Sequence, residues 1–138
     1  MDTGIVLIQV GCAIYILLGL VHAYLTLCTN AMEPENPELL ALNKASHSRI
    51  TRQTTLWAGG VGFHLSHSLG MAIFGVIIFA VLGAQPALLT SSSVLAFTLL
   101  CVPVLYLLMS LKYWFIVPTV GLGIACGVFV VGMLMQML

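Results

Sequence analysis

Residues 54–82, TTLWAGGVGFHLSHSLGMAIFGVIIFAVL, decide the fold class of this chain. The stretch contains no Asp, Glu, Lys or Arg, and it exceeds the about 20 residues with which an α-helix crosses the hydrocarbon core of a bilayer. Lipid offers no hydrogen bonds to an open backbone, so a segment of this kind crosses as a helix. We therefore predict a membrane-spanning helix over residues 54–82.

Three further apolar blocks lie outside this stretch, at residues 5–27, 91–111 and 115–137. Of the 138 residues, 61% are hydrophobic and only 6% are charged, whereas a soluble domain carries about 25% charged residues. The first block follows no basic segment and precedes no small-residue cleavage site, so we expect it to be retained as a span. The sequence predicts an all-α integral membrane four-helix bundle, a single transmembrane domain over residues 1–138.

The basic residues predict the orientation of this bundle. Lys44, Arg49 and Arg52 lie in the loop at residues 28–53, and Lys112 lies between the third and fourth spans. These two loops share one side of the membrane, and the positive-inside rule makes that side cytoplasmic. We expect both termini on the non-cytoplasmic side. Because the formal net charge is zero, no basic patch indicates nucleic acid as a partner.

Small residues form stripes on two of the spans and are candidates for helix packing. At 100° per residue they fall together on the second span and on the fourth, at Gly59, Gly62, Ser66 and Gly70 and at Gly123 and Gly127. Such stripes let helix backbones approach closely. With the small size of the chain, they favour a non-catalytic subunit of a homo-oligomer or of a larger membrane complex, with the lipid bilayer as its surroundings.

Histidines inside the spans are the candidate binding residues. His64 and His67 are three positions apart and share a face of the second span. His64 is about 15 Å deep from the cytoplasmic end, at 1.5 Å per residue. His22 lies on the small and polar face of the first span, about 8 Å deep. An ionisable residue within a span is by default a functional hypothesis.

Three interpretations of His22, His64 and His67 stay open. They bind haem b or a metal ion, since neutral imidazole is a common ligand of both. Alternatively, they carry a proton or bind the carbonyl of a quinone. Both of these interpretations describe a redox protein. In the third, they are hydrogen-bonded across helices to hydroxyl groups, with candidates at Ser66, Ser68, Tyr15 and Thr26. No carboxylate lies within the spans to orient a ligating imidazole, which counts against a metal.

Motifs of soluble catalysis are missing, including a glycine-rich phosphate loop, G-x-S-x-G, H-E-x-x-H and C-x-x-C. The sequence therefore favours a protein that is not an enzyme, with a small membrane enzyme acting on a lipophilic substrate as the alternative. In the loop, His47 belongs to a basic stretch with Lys44 and Arg49. That stretch is either solvated or in contact with anionic lipid head groups or a partner.

Two runs, Asn36-Pro37-Glu38-Leu39-Leu40 and Gly62-Phe63-His64-Leu65-Ser66-His67-Ser68-Leu69-Gly70, carry a resemblance to a known group. The first half of the chain resembles small bacterial four-helix membrane proteins that are broadly DoxX-like. The resemblance implies a four-helix bundle in the bacterial inner membrane and implies no activity. Within that group the position of His64 is often Asn, which gives His67 and the serines beside it more weight.

Overall fold

The computed structural model describes residues 2–138, and nearly all of its regular structure is helical. The elements are α1 (Thr3–Cys28), α2 (Pro37–Ala45), α3 (Leu56–Ala84), a short 3-10 helix (Pro86–Thr90), α4 (Ser93–Tyr113) and α5 (Ile116–Met137). Four of them, α1, α3, α4 and α5, are long and apolar enough to cross a membrane. This confirms the predicted all-α membrane fold with four spans. Each long helix begins and ends within two residues of its predicted span.

The short helix α2 begins where its sequence provides a cap. Asn36 stands at the N-cap, and its side-chain oxygen accepts a hydrogen bond from the backbone N–H of Glu38 at 2.9 Å. Pro37 occupies the first turn, where the missing N–H has no helical partner to lose. α2 has no buried residue, and it exposes Leu39 and Leu42. A short helix of this kind suits the membrane surface.

The chain forms two compact units. Unit 1 comprises residues 2–18 and 71–138, and unit 2 comprises residues 19–70. Helices α1 and α3 contribute residues to both. Unit 1 contains α4, α5 and the remaining parts of α1 and α3, whereas unit 2 contains α2 and the loops on either side of it.

The core of unit 1 depends on close approach between helix backbones. A Cβ atom added to Gly132 of α5 would lie 2.6 Å from the carbonyl oxygen of Gly4 in α1. One added to Gly75 of α3 would lie 2.7 Å from the carbonyl oxygen of Cys12. Only glycine lets these backbones come so close. Lipid provides no hydrophobic driving force between helices, so close van der Waals packing of this kind holds them together. Around them lie fully buried side chains such as Phe129.

In unit 2, one face of α3 is covered and another is exposed. The predicted small-residue stripe on this helix is exposed, at Gly59, Gly62, Ser66 and Gly70. His64 and His67 lie on the neighbouring stripe and are half-buried, and Ser68 is buried. The covered face of α3 in this unit is thus the one that carries the histidines.

Candidate functional site: a histidine cluster beside a cavity

His22 and His64 are joined directly across two helices. His22 Nε2 lies 3.2 Å from His64 Nδ1, within hydrogen-bonding distance. His22 is six residues before the end of α1, and His64 is eight residues after the start of α3. Each neutral imidazole has one N–H donor and one acceptor nitrogen, so the proton in this bond belongs to either ring. Whichever ring donates, the bond couples the tautomers of both.

His67 completes the cluster one helical turn further along α3. Its ring centroid lies 5.7 Å from that of His22, with the planes at 75° in an edge-to-face arrangement. The centroids of His22 and His64 are 5.2 Å apart. The structure therefore brings together all three histidines that the sequence singled out. His22 is the central ring, in contact with both of the others.

The hydroxyl groups near the cluster bind their own helices. Thr26 Oγ1 donates to the carbonyl oxygen of His22 at 2.8 Å. Ser68 Oγ donates to the carbonyl oxygen of His64, also at 2.8 Å. Ser66 Oγ donates to the carbonyl oxygen of Phe63 at 2.9 Å. The link between α1 and α3 in unit 2 is consequently a histidine–histidine bond, and these hydroxyls serve backbone carbonyls.

A cavity of about 240 Å³ lies next to the histidine pair. It is lined by Thr26, Met32, Pro34, Asn43, Leu56, Trp57, Gly60, Val61 and His64. The lining combines the ends of α1 and α3 with the loop that precedes α2 and with α2 itself. We call it the loop-side cavity. His64 is the member of the cluster that borders it, so the cluster is accessible from this cavity through His64.

Charged groups hold the wall of the loop-side cavity. Lys44 Nζ lies 5.4 Å from the centroid of the Trp57 ring, a cation–π distance. The same ammonium group is 3.7 Å from Glu33 Oε1. The first contact joins α2 to the first turn of α3, and the second joins α2 to the loop before it. Trp57 thereby contributes an aromatic surface to the cavity and contacts Lys44 of α2.

The geometry of the histidine pair does not fit a haem. Two axial imidazoles bind opposite faces of the iron through bonds of about 2.0 Å, which places their nitrogens about 4 Å apart with the porphyrin between them. His22 Nε2 and His64 Nδ1 are in direct contact at 3.2 Å, with no space for a macrocycle. The loop-side cavity, at about 240 Å³, is also smaller than the about 300–1,000 Å³ of pockets for drug-sized ligands.

Metal binding by all three histidines would require their rings to reorient. Within residues 2–138, no group of three or more His, Cys, Asp and Glu side chains is arranged to hold a metal ion. The arrangement suits hydrogen bonding instead. A paired imidazole beside a small cavity can donate to, or accept from, one polar atom of a ligand.

The candidate packing residues lie on open faces of their helices. A Cβ atom added to Gly59, Gly62 or Gly127 would meet no atom of another described segment within 4 Å. At Gly123 it would reach only a terminal carbon of Leu107, at 3.9 Å. The helix contacts of unit 1 use other glycines, whereas these stay available to lipid or to a second chain.

Sequence reasoning missed most of the cavity lining. Asn43 and Met32 carry no periodic signal, because they lie in a surface helix and a loop whose path decides what they face. Trp57 has the position of an aromatic anchor at the membrane interface, so its sequence context gave no reason to assign it to a cavity. Only the fold of residues 29–55 against α1 and α3 assembles this set.

Comparisons with protein-family models, with curated proteins and with solved structures find no match to this chain. The resemblance to DoxX-like proteins stays a prediction.

Proposed function

We propose that this small polytopic membrane protein binds a lipophilic ligand with a carbonyl-bearing ring, of the quinone type, in the loop-side cavity. The observation that carries the proposal is that His64 lines the cavity while its Nδ1 is engaged by His22 Nε2. In the tautomer in which His22 donates, neutral His64 holds its proton on Nε2. That N–H is then the donor for a carbonyl oxygen of the ligand.

The rest of the lining supports a ring of this kind. Trp57, Val61 and Leu56 offer aromatic and aliphatic surface to the faces of a ring. Asn43 adds a side-chain amide, which can donate to a second carbonyl or accept from a hydroxyl. The volume of about 240 Å³ suits a single-ring head group, with a hydrocarbon tail left in the bilayer.

The histidine pair also gives the site a route for a proton. In the opposite tautomer, His64 donates from Nδ1 to His22 Nε2, and His64 Nε2 is the acceptor nitrogen. A reduced ligand with a hydroxyl group can release its proton to this Nε2. His64 can then pass the proton that it carries on Nδ1 to His22 through the 3.2 Å contact. A single histidine would bind the same carbonyl but would offer no neighbouring acceptor. The pairing therefore favours a ligand that exchanges protons over an inert lipid.

Fluorescence of Trp57 tests the proposal. The chain has two tryptophans, so a Trp114→Phe background leaves Trp57 as the reporter inside the cavity. We expect a short-chain benzoquinone to quench it saturably in protein reconstituted into nanodiscs. Replacing His64 with Ala removes the donor, and we expect the affinity to fall about tenfold, as for the loss of one hydrogen bond from a buried site.

His47→Ala is the matched control for His64→Ala. His47 is an exposed histidine that does not line the loop-side cavity. Its replacement should leave the quenching curve unchanged. Quenching that is linear in quinone concentration, or equal in the His64→Ala and parent proteins, would rule out a quinone site at this cavity.

A second candidate function is that of a non-catalytic subunit in a homo-oligomer. The observation that favours it is the open stripe of α3, where Gly59 and Gly62 have no atom of another described segment near an added Cβ. Ser66 and Gly70 continue the same stripe and are exposed. A second helix can approach such a stripe closely, and small-xxx-small contacts are a common basis of association in lipid.

Native mass spectrometry from a mild, lipid-like detergent tests the oligomer. We expect Gly62→Leu to shift the protein towards monomer, because a leucine separates the backbones. Gly83→Leu is the control, since Gly83 lies on the same helix, is also open and is outside the stripe. A parent protein that is already monodisperse and monomeric would remove the subunit proposal and leave the ligand proposal untouched.

A further inference from the structure

The loop at residues 46–55 has a defined shape. Its two ends are held together by an antiparallel bridge between His47 and Thr55. The backbone N–H of Leu56 donates to the carbonyl oxygen of Ser46 at 2.9 Å. The ring nitrogen His47 Nδ1 lies 2.9 Å from the carbonyl oxygen of Thr54. These contacts close residues 46–55 into a loop with a fixed base at the start of α3.

Hydroxyl groups organise the tip of this loop. Ser48 Oγ accepts from the backbone N–H groups of Ile50 and Thr51 at 3.3 and 3.4 Å. Thr51 Oγ1 accepts from the backbone N–H of Gln53 at 3.1 Å. The polar groups of the tip are thus used to turn the backbone, and the longer side chains are left to project from it.

An open cleft of about 480 Å³ lies within the loop, separate from the loop-side cavity. It is lined by His47, Ser48, Arg49, Ile50, Thr51 and Arg52. We call it the arginine cleft. Both of its arginines are exposed. Among residues 2–138, the salt bridge within 4.0 Å is that of Lys44 with Glu33, and neither guanidinium group takes part in one. Within the described residues, the two guanidinium groups are therefore not neutralised by an acidic side chain.

Ile50 adds an exposed apolar side chain to the sequence between the two arginines. Its side chain is 95% exposed, and it stands six residues before the first residue of the membrane-spanning helix α3. An isolated exposed isoleucine has no special meaning in a soluble protein. Beside a span, an apolar side chain flanked by arginines has the chemistry of a group at the boundary between lipid head groups and acyl chains.

We infer that the arginine cleft binds the phosphate of an anionic phospholipid in the leaflet that faces the loop, with Ile50 inserted beside the lipid. Guanidinium groups match phosphate oxygens in bidentate geometry, and basic residues near a membrane are attracted to anionic lipid. Because the loop base is held by hydrogen bonds, the backbone that carries the arginines needs little ordering on binding. The inference does not rest on the quinone proposal, since the cleft and the loop-side cavity share no lining residue.

Native mass spectrometry of the full chain in detergent, titrated with phosphatidylglycerol or phosphatidylcholine, tests this inference. We expect the parent protein to retain phosphatidylglycerol in preference to phosphatidylcholine. Each of Arg49→Gln and Arg52→Gln should weaken that binding about fivefold. Lys112→Gln is the control, because Lys112 is a basic residue outside the cleft and lies over the ring of Tyr113 at 5.1 Å. It should change the binding little.

Ile50→Ser distinguishes a lipid from a free phosphate. Ser at this position keeps the charges of the cleft and removes the apolar contact, so it should weaken phosphatidylglycerol binding without changing competition by inorganic phosphate. Equal binding of the two lipids would overturn the inference. So would unchanged binding in the double variant R49Q/R52Q, or an Ile50→Ser protein that binds phosphatidylglycerol like the parent, which would indicate a site for soluble phosphate.

Discussion

His22 Nε2 and His64 Nδ1 lie 3.2 Å apart although 42 positions separate the two residues in the sequence. The contact joins the end of α1 to the first half of α3 within unit 2. It is also the contact through which the loop-side cavity reaches the rest of the histidine cluster, because His64 lines the cavity and His22 lies behind it. The proposed function therefore makes the stability of unit 2 and its ligand binding depend on the same pair.

A double-mutant cycle measures the strength of this pair. We expect His22→Ala and His64→Ala each to lower the free energy of unfolding in detergent, and the double variant to be less destabilised than their sum. The coupling should be about 1 kcal/mol, as for side-chain hydrogen bonds between membrane helices. The same cycle with His22→Ala and His47→Ala should be additive, because His47 lies in the loop, where its ring bonds to the carbonyl oxygen of Thr54. Additivity in the first cycle would mean that the two rings do not bond.

Tyr15→Phe should stabilise the protein by about 1 kcal/mol, because the hydroxyl of this residue is buried without a partner. Tyr15 is 0% exposed, and no atom of residues 2–138 forms a hydrogen bond with its hydroxyl. The edge-to-face contact with Phe74, at 5.7 Å between centroids, is retained by phenylalanine. Chemical denaturation compares the variant with Tyr24→Phe, whose exposed ring should give no change. A less stable Tyr15→Phe protein would reveal a buried water on the hydroxyl.

Gly132→Ala should destabilise unit 1 by about 1–3 kcal/mol, the usual cost of overpacking. The added methyl group would lie 2.6 Å from the carbonyl oxygen of Gly4 and 2.9 Å from the backbone nitrogen of Ile8. Both are backbone atoms, so α1 and α5 would have to separate. Gly127→Ala on the same helix has open space around the new methyl group and should be neutral or stabilising by up to about 1 kcal/mol. Equal unfolding free energies for the two variants would contradict the close contact.

Cys28 reports the predicted orientation, because it is exposed and is the last residue of α1. In a Cys101→Ser background, we expect a membrane-impermeant maleimide to label Cys28 in inverted vesicles of a bacterial inner membrane and not in intact spheroplasts. The reason is the positive-inside rule applied to the loop that follows Cys28. Cys28→Ser should abolish the labelling. Labelling from the outside alone would place both termini in the cytoplasm.

The sequence predicted the surface of α1 well and that of α3 less completely. On α1 the small and polar face that carries His22 is covered, since Gly11, Tyr15 and Gly19 on this face are buried, whereas Leu17 on the opposite side is exposed. On α3 the histidine stripe is the covered face and the glycine stripe is open. Periodicity identifies faces of a helix that differ from the lipid-facing side. On α3 it identified two such faces, and it could not tell which of them packs against the neighbouring helix.

Choosing the glycines that make contacts needed the structure. Gly4, Gly11, Gly75 and Gly132 approach other helices closely, whereas the stripe residues Gly59 and Gly62 are open. Glycine spacing shows where a backbone can be approached. Which backbone approaches a given glycine depends on which helices are neighbours in the bundle, and short loops do not determine that arrangement.

By itself the sequence determined that the chain is an all-α membrane protein with four spans, because a run of apolar residues in lipid has to satisfy its own backbone hydrogen bonds. It also identified His22, His64 and His67 as candidate binding residues, because ionisable groups are rare inside a membrane-spanning helix. Only the tertiary structure decided that these rings touch and that His64 borders a cavity. Depth and angle place a residue on one helix, whereas contact depends on the distance and rotation between helices and on the path of the loop over them.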